Sequence, residues 1–232
     1  GYDAFQVKEI LRQVGRIYND CAKSNAYLAP LGVKVPPYLD TVLLQSVAAV
    51  IQKYDIVKYI VAINTVGNTL PIDGEYMQAP YIAANDGLAG MSGAALKPIA
   101  LSNVRQWKQL LNNIDIVGVG GISTGQDVYD FLLAGATACQ VATTHWKEGP
   151  GCFDRIVKEL TSIMKSKGYE SVKDVRGKLQ PWSKELAAKR RKAVKVAGGT
   201  VSATTDEIYK YISIGLAVVV AVLLADKFVR FN

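Results

Sequence analysis

Apolar side chains recur at helical spacing along residues 3–18, at Phe5, Ile10, Leu11, Val14 and Ile17, and predict a helix with no strand before it. Leu31-Gly32-Val33-Lys34-Val35 then reads as a short strand stopped by Pro36 and Pro37. Helical periodicity returns over 40–54 through Leu43, Leu44, Val47, Val50 and Ile51, and an apolar strand region follows at 56–64. A longer loop runs through Pro71, Gly74 and Pro80 to Gly87, Gly90 and Gly93, and Lys97-Pro98 opens a helix over 100–111. A β-branched run at 114–117, a helix from Thr124 bearing Val128, Phe131 and Leu132, a strand at 138–143 and a helix at 153–165 complete the series. Helix and strand thus alternate to about residue 168, which predicts a parallel sheet of four strands covered by helices. Four βα units are half of a (β/α)8 barrel. Half a barrel leaves two unpaired strand edges and a bare sheet face, so the unit needs a partner unless its strands form an open sandwich.

After residue 180 the pattern changes. Lys184, Lys189, Arg190, Arg191, Lys192 and Lys195 form a basic block, residues 198–205 have a linker composition, and residues 212–225 are uncharged. That last run has no polar face, and Tyr209, Tyr211 and Phe228 can sit at two interfaces. It predicts a single transmembrane helix, or a helix buried against partner subunits. The basic residues before it favour the main domain on the positive-inside side, which in a mitochondrion is the matrix. The division expected is a barrel-like domain at 1–180, a linker at 181–207 and a membrane span with a short tail at 208–232.

Composition adds two exclusions. Much of the net charge of +7 sits in the basic block, where no aromatic residue accompanies it, and this argues against nucleic acid as a partner. Cys21, Cys139 and Cys152 are widely spaced and show no metal-ligand pattern, so no metal site is expected and a reducing compartment is the simplest reading.

Three places carry candidate chemistry. Gly118-Val119-Gly120-Gly121 lies between a strand and a helix, where bare backbone N–H groups can meet a phosphate; a βα turn without a ligand is the alternative. The spacing is neither G-x-G-x-x-G nor a P-loop. Lys34 points away from the face of Val33 and Val35, into a closed barrel or out from an edge strand. Asn64 and Thr65 end an apolar strand, where α/β folds place their sites, although the pair also suits a plain turn.

The motifs Leu31-Gly32-Val33-Lys34-Val35-Pro36-Pro37-Tyr38, Asn64-Thr65-Val66-Gly67-Asn68, Gly118-Val119-Gly120-Gly121-Ile122 with Thr124-Gly125-Gln126-Asp127, and Lys147-Glu148-Gly149-Pro150 occur in one order. With Lys167-Gly168-Tyr169 and Gly177-Lys178-Leu179, the chain resembles the C-terminal half of class 1A dihydroorotate dehydrogenases over roughly residues 1–180. The resemblance implies strands five to eight of an FMN-binding (β/α)8 barrel that oxidises dihydroorotate to orotate and passes electrons to fumarate or quinone. It implies that Lys34 contacts the isoalloxazine, that Asn64 and Thr65 bind orotate, and that Gly90 and Gly93 approach the flavin. Gly120, Gly121, Ala142 and Thr143 would form the FMN phosphate site. The family's catalytic base, a cysteine, falls in the missing N-terminal half, and none of the three cysteines here matches it. Two departures stand out: Ala89 and Ala142 replace glycines of the family pattern. His145 is expected to be a loop histidine without an acid or base role.

Two readings follow. In the first, a second polypeptide supplies the N-terminal half-barrel with its cysteine, the halves close around FMN, and the membrane tail places the reduced flavin near quinone or a respiratory complex of the mitochondrial inner membrane. In the second, the chain is a non-catalytic subunit of a respiratory complex of the mitochondrial inner membrane, with other membrane subunits and the lipid bilayer as partners and the main domain facing the matrix.

Overall fold

The structure, a computed structural model, describes residues 3–24, 28–78 and 84–196. The chain divides into two compact units, Gly1–Leu179 and Gln180–Asn232. In the first unit the order is α1 (Ala4–Lys23), β1 (Leu31–Val35), α2 (Thr41–Ile51), β2 (Val57–Ala62), β3 (Val66–Thr69) and β4 (Ala89–Met91). It continues with α3 (Lys97–Leu110), β5 (Asp115–Val119), α4 (Gly125–Ala134), β6 (Ala138–Gln140), α5 (Thr143–Glu148) and α6 (Gly151–Ser166). In the second unit, helix α7 (Lys184–Val196) spans the basic block.

β1, β2, β5 and β6 form one sheet in that order, parallel throughout. These are the four expected strands. The sheet is covered on one side. Ile60, Ala62, Ile116 and Gly118 are buried, and Gly118 lies so close to the Phe131 ring of α4 that a Cβ would stand 2.4 Å from it. The alternating residues face the other way. Of these, Val61 is buried, Tyr59, Val117 and Val119 are half-buried, and Lys34 and Gln140 are exposed. Parallel sheets are ordinarily covered on both faces. Among the described residues, this one has a largely uncovered face and two unpaired edges, at β1 and β6.

The core lies beneath the covered face. Leu44, Val47 and Ile51 of α2 and Ala100, Val104 and Trp107 of α3 recur at helical spacing, and all are fully buried. Burial contributes about 1.5–3 kcal/mol for each large aliphatic side chain. Asn103, 1 % exposed, is the most deeply buried polar residue among those described, and its hydrogen bonds explain it. Its Oδ1 accepts from the Tyr38 N–H (3.0 Å), and its Nδ2 donates to the carbonyls of Tyr38 (3.0 Å) and Ile99 (3.1 Å). The chain leaving β1 is thereby fixed to α3. Tyr38 also meets Trp107 edge-on, with ring centroids 5.6 Å apart.

Several elements differ from expectation. α1 runs to Lys23, because its last turn is polar and exposed and so carries no apolar period. The expected loop after β2 contains an antiparallel ribbon of β3 and β4. β6 stops at Gln140, and Thr143 opens α5, which holds His145 in a helix. Among the described residues, no helix is long and apolar enough to cross a membrane. The span expected at 208–232 lies outside the described residues.

Candidate functional site

At the C-terminal ends of the parallel strands a cavity of about 360 Å³ opens. Lys34 of β1, Asn64 and Thr65 after β2, Gly93 after β4, Gly120 and Gly121 after β5, and Ala142 and Thr143 after β6 all line it. Residues far apart in sequence therefore converge on one space. Gly90 is absent from the wall and acts behind it: a Cβ there would stand 2.3 Å from the Thr65 Oγ1. Ser92, Ser123, Gln140, Lys147 and Glu148 complete much of the lining; Lys147 and Glu148 belong to a motif noted in the sequence, but the sequence assigns none of the five to the site.

Strand pairing continues past β2 and places the next residues. The Ile63 N–H donates to the Val119 carbonyl (3.0 Å) and the Asn64 N–H to the Val35 carbonyl (2.9 Å). The Asn64 side chain is exposed. Among the described residues no hydrogen bond engages its amide, and no ion pair engages the exposed Lys34 ammonium. Both residues line the cavity. Within the ribbon, the Thr69 hydroxyl donates to the Ala89 carbonyl (3.0 Å).

The glycine turn is built by tight packing. Gly120 and Gly121 have φ of +133° and +75°. A Cβ on Gly121 would lie 2.8 Å from the Gly93 carbonyl oxygen and 2.9 Å from the Lys97 nitrogen. Beyond the turn, α4 closes its own N-terminus. Asp127 Oδ2 accepts from the Ser123 N–H (2.8 Å) and hydroxyl (3.0 Å) and from the Thr124 N–H (2.8 Å) and hydroxyl (2.9 Å). The Gly125 N–H donates to Glu159 (2.7 Å). Carboxylates of the chain already occupy the donors that begin α4, so the expected phosphate-facing groups reduce to the turn at Gly120 and Gly121.

Asp127 Oδ1 also accepts from the Lys97 ammonium (2.5 Å), which reaches Asp130 as well (2.7 Å). Burial pushes the Asp127 carboxyl upward, but the hydrogen bonds from Lys97, Ser123 and Thr124 outweigh it and hold the group far below the usual carboxylate range. Thr124 and Asp127 form a reciprocal capping box whose spacing was readable in the sequence.

The cysteines offer no base. Cys21 is exposed at the end of α1 and Cys152 is buried in α6. Burial pushes the Cys139 thiol up to about 12, so it stays protonated at neutral pH. The His145 ring lies 5.4 Å from that of Phe153, and its Nδ1 is buried without a hydrogen-bond partner.

The sequence profile of the dihydroorotate dehydrogenase family matches residues 4–164. The chain belongs to that family. It is 42% identical over 180 residues to dihydroorotate dehydrogenase A (fumarate) of Lactococcus lactis subsp. cremoris, an alignment covering 77% of this chain and 54% of the relative. It is 46% identical over 155 residues to dihydroorotate dehydrogenase (fumarate) of Kluyveromyces lactis, covering 66% and 49%. Among solved structures, a dihydroorotate dehydrogenase of Eimeria tenella, crystallised with ferulenol, superposes with a TM-score of 0.54 at 28% identity. That superposition covers 64% of this chain and 37% of the other. The chain spans about half the length of the relatives it matches in sequence. These relatives, named as fumarate enzymes of a bacterium and a yeast, correct the expectation of a mitochondrial inner-membrane location. No membrane-crossing helix among the described residues supports that location either.

Proposed function

We propose that this chain forms the C-terminal half of an FMN-dependent dihydroorotate dehydrogenase barrel. An N-terminal half-barrel carrying the catalytic cysteine completes it, supplied by further residues of the same protein or by a second polypeptide. The observation that carries the reading is the convergence of Lys34, Asn64, Thr65, Gly120, Gly121 and Thr143 on one cavity at the strand ends. The bare sheet face and the edges at β1 and β6 support the need for a complementary half.

The residues present fit the cofactor. The turn at Gly120 and Gly121 lines the cavity together with Ser92, whose hydroxyl accepts from that of Thr143 (3.3 Å) and keeps its own proton to donate, a set suited to a phosphate. Ala142 has a negative φ (−124°), so no left-handed backbone there calls for glycine. Ala89 lies in the β4 strand, paired with Thr69. Neither departure from the family pattern removes the site.

When bound, FMN supplies the two-electron acceptor for oxidation of dihydroorotate to orotate. Lys34, without an ion-pair partner among the described residues, would face the isoalloxazine and stabilise negative charge on the reduced flavin. Asn64 and Thr65 offer hydrogen bonds that orient the pyrimidine. Proton abstraction falls to the complementary half, because Cys139 stays protonated and the other cysteines lie outside the cavity lining.

The test is the cofactor itself. The full-length protein, purified from its native source with its partners, is expected to release stoichiometric FMN on denaturation. The Lys34→Ala variant should release less. Flavin-free material would contradict the reading.

A further inference from the structure

Helix α5 is tied to the glycine turn at both ends. Near its start, the buried Thr144 hydroxyl donates to the Ile122 carbonyl (2.7 Å). At its end, Glu148 accepts from Arg155 Nη2 (2.6 Å) and Nε (3.1 Å), and the same Nη2 donates to the Ser123 carbonyl (3.0 Å). Arg155 Nη1 donates to Glu159 (2.8 Å), whose other carboxylate oxygen accepts the Gly125 N–H (2.7 Å). One guanidinium thus holds three acceptors from three segments: the turn after β5, the end of α5, and α6. Residues 120–123 and 142–144 line the same cavity, whereas Arg155 does not.

We propose that Arg155 is a positioning residue for the FMN phosphate, fixing the Gly120–Gly121 turn against α5 so that both segments meet one phosphate. The inference rests on the FMN reading above. Two physical effects act in the same direction. The planar fork of arginine can satisfy several acceptors in fixed directions, which a lysine ammonium cannot reproduce. Arg155 also neutralises Glu148, a carboxylate on the cavity wall that would otherwise repel a phosphate. The role is one of geometry and charge held from behind the site. Its signature is a loss confined to the phosphate end of the flavin.

Riboflavin, which lacks the phosphate, separates this role from a general one. The full-length protein, purified with its partners and stripped of flavin, would be titrated with FMN and with riboflavin by fluorescence quenching. Arg155→Gln should weaken FMN binding about tenfold and leave riboflavin binding unchanged, the size expected for a charge-assisted hydrogen bond. Arg155→Lys keeps the charge without the fork and should lose FMN affinity in the same direction. An unchanged preference for FMN over riboflavin in Arg155→Gln, an equal loss for both flavins, or wild-type affinity in Arg155→Lys would overturn the inference. Wild-type protein that binds neither flavin would instead overturn the functional reading on which it rests.

Discussion

Asp127 collects five donors on one carboxylate: two N–H groups, two hydroxyls and the Lys97 ammonium. Replacing it with Asn removes the charge that these donors face and leaves Lys97 paired to Asp130 alone. Asp127→Asn should lower stability by about 2 kcal/mol, read as a drop in the thermal midpoint. The sign with pH follows from the depressed carboxyl. The contribution is fully present above the ordinary Asp value of 3.8 and is lost as pH falls further, through the depressed folded value. The gap between wild type and Asp127→Asn should therefore be constant near neutrality and narrow only in strong acid. Asn103→Ala removes the buried hydrogen bonds to the Tyr38 N–H and carbonyl and to the Ile99 carbonyl, and chemical denaturation should show a loss of about 2–4 kcal/mol.

The element scale decides how the site is assembled. The β3–β4 ribbon brings Gly90 against Thr65, where the absence of a side chain leaves room for the threonine hydroxyl. Gly90→Val should displace Thr65 and weaken orotate binding about tenfold or more, while flavin content stays near wild type. Isothermal titration with orotate reads the first effect, and flavin absorbance reads the second.

Legibility also divides by element. β1, β2 and β5 were readable because apolar and β-branched residues dominate them. The ribbon was not, because Gly67, Asn68 and Gly90 give its short strands no alternating pattern. α5 was taken for strand and loop because a six-residue helix shows no full apolar period. Lys34, Asn64, Thr65 and the glycines were singled out by local pattern and by motif order. Arg155 stayed hidden because its partner Ser123 lies 32 residues away and nothing local marks the pairing.

At the scale of the molecule, the covered face and the bare face of the sheet make opposite demands. The covered face carries a close-packed core that folds around Trp107, Phe131 and Ile60. The bare face leaves Tyr59, Val117 and Val119 half-buried at a sheet with two open edges. A fragment confined to residues 1–180 should bind a hydrophobic dye and self-associate, and adding a complementary half-barrel should suppress both. The central claim is that this chain closes a flavin site that oxidises dihydroorotate. The most direct measurement is the visible absorbance of the full-length protein, purified with its partners, on anaerobic addition of dihydroorotate. The account predicts an oxidised flavin spectrum that bleaches on addition and returns on exposure to fumarate. A flavin spectrum unchanged by dihydroorotate would contradict it.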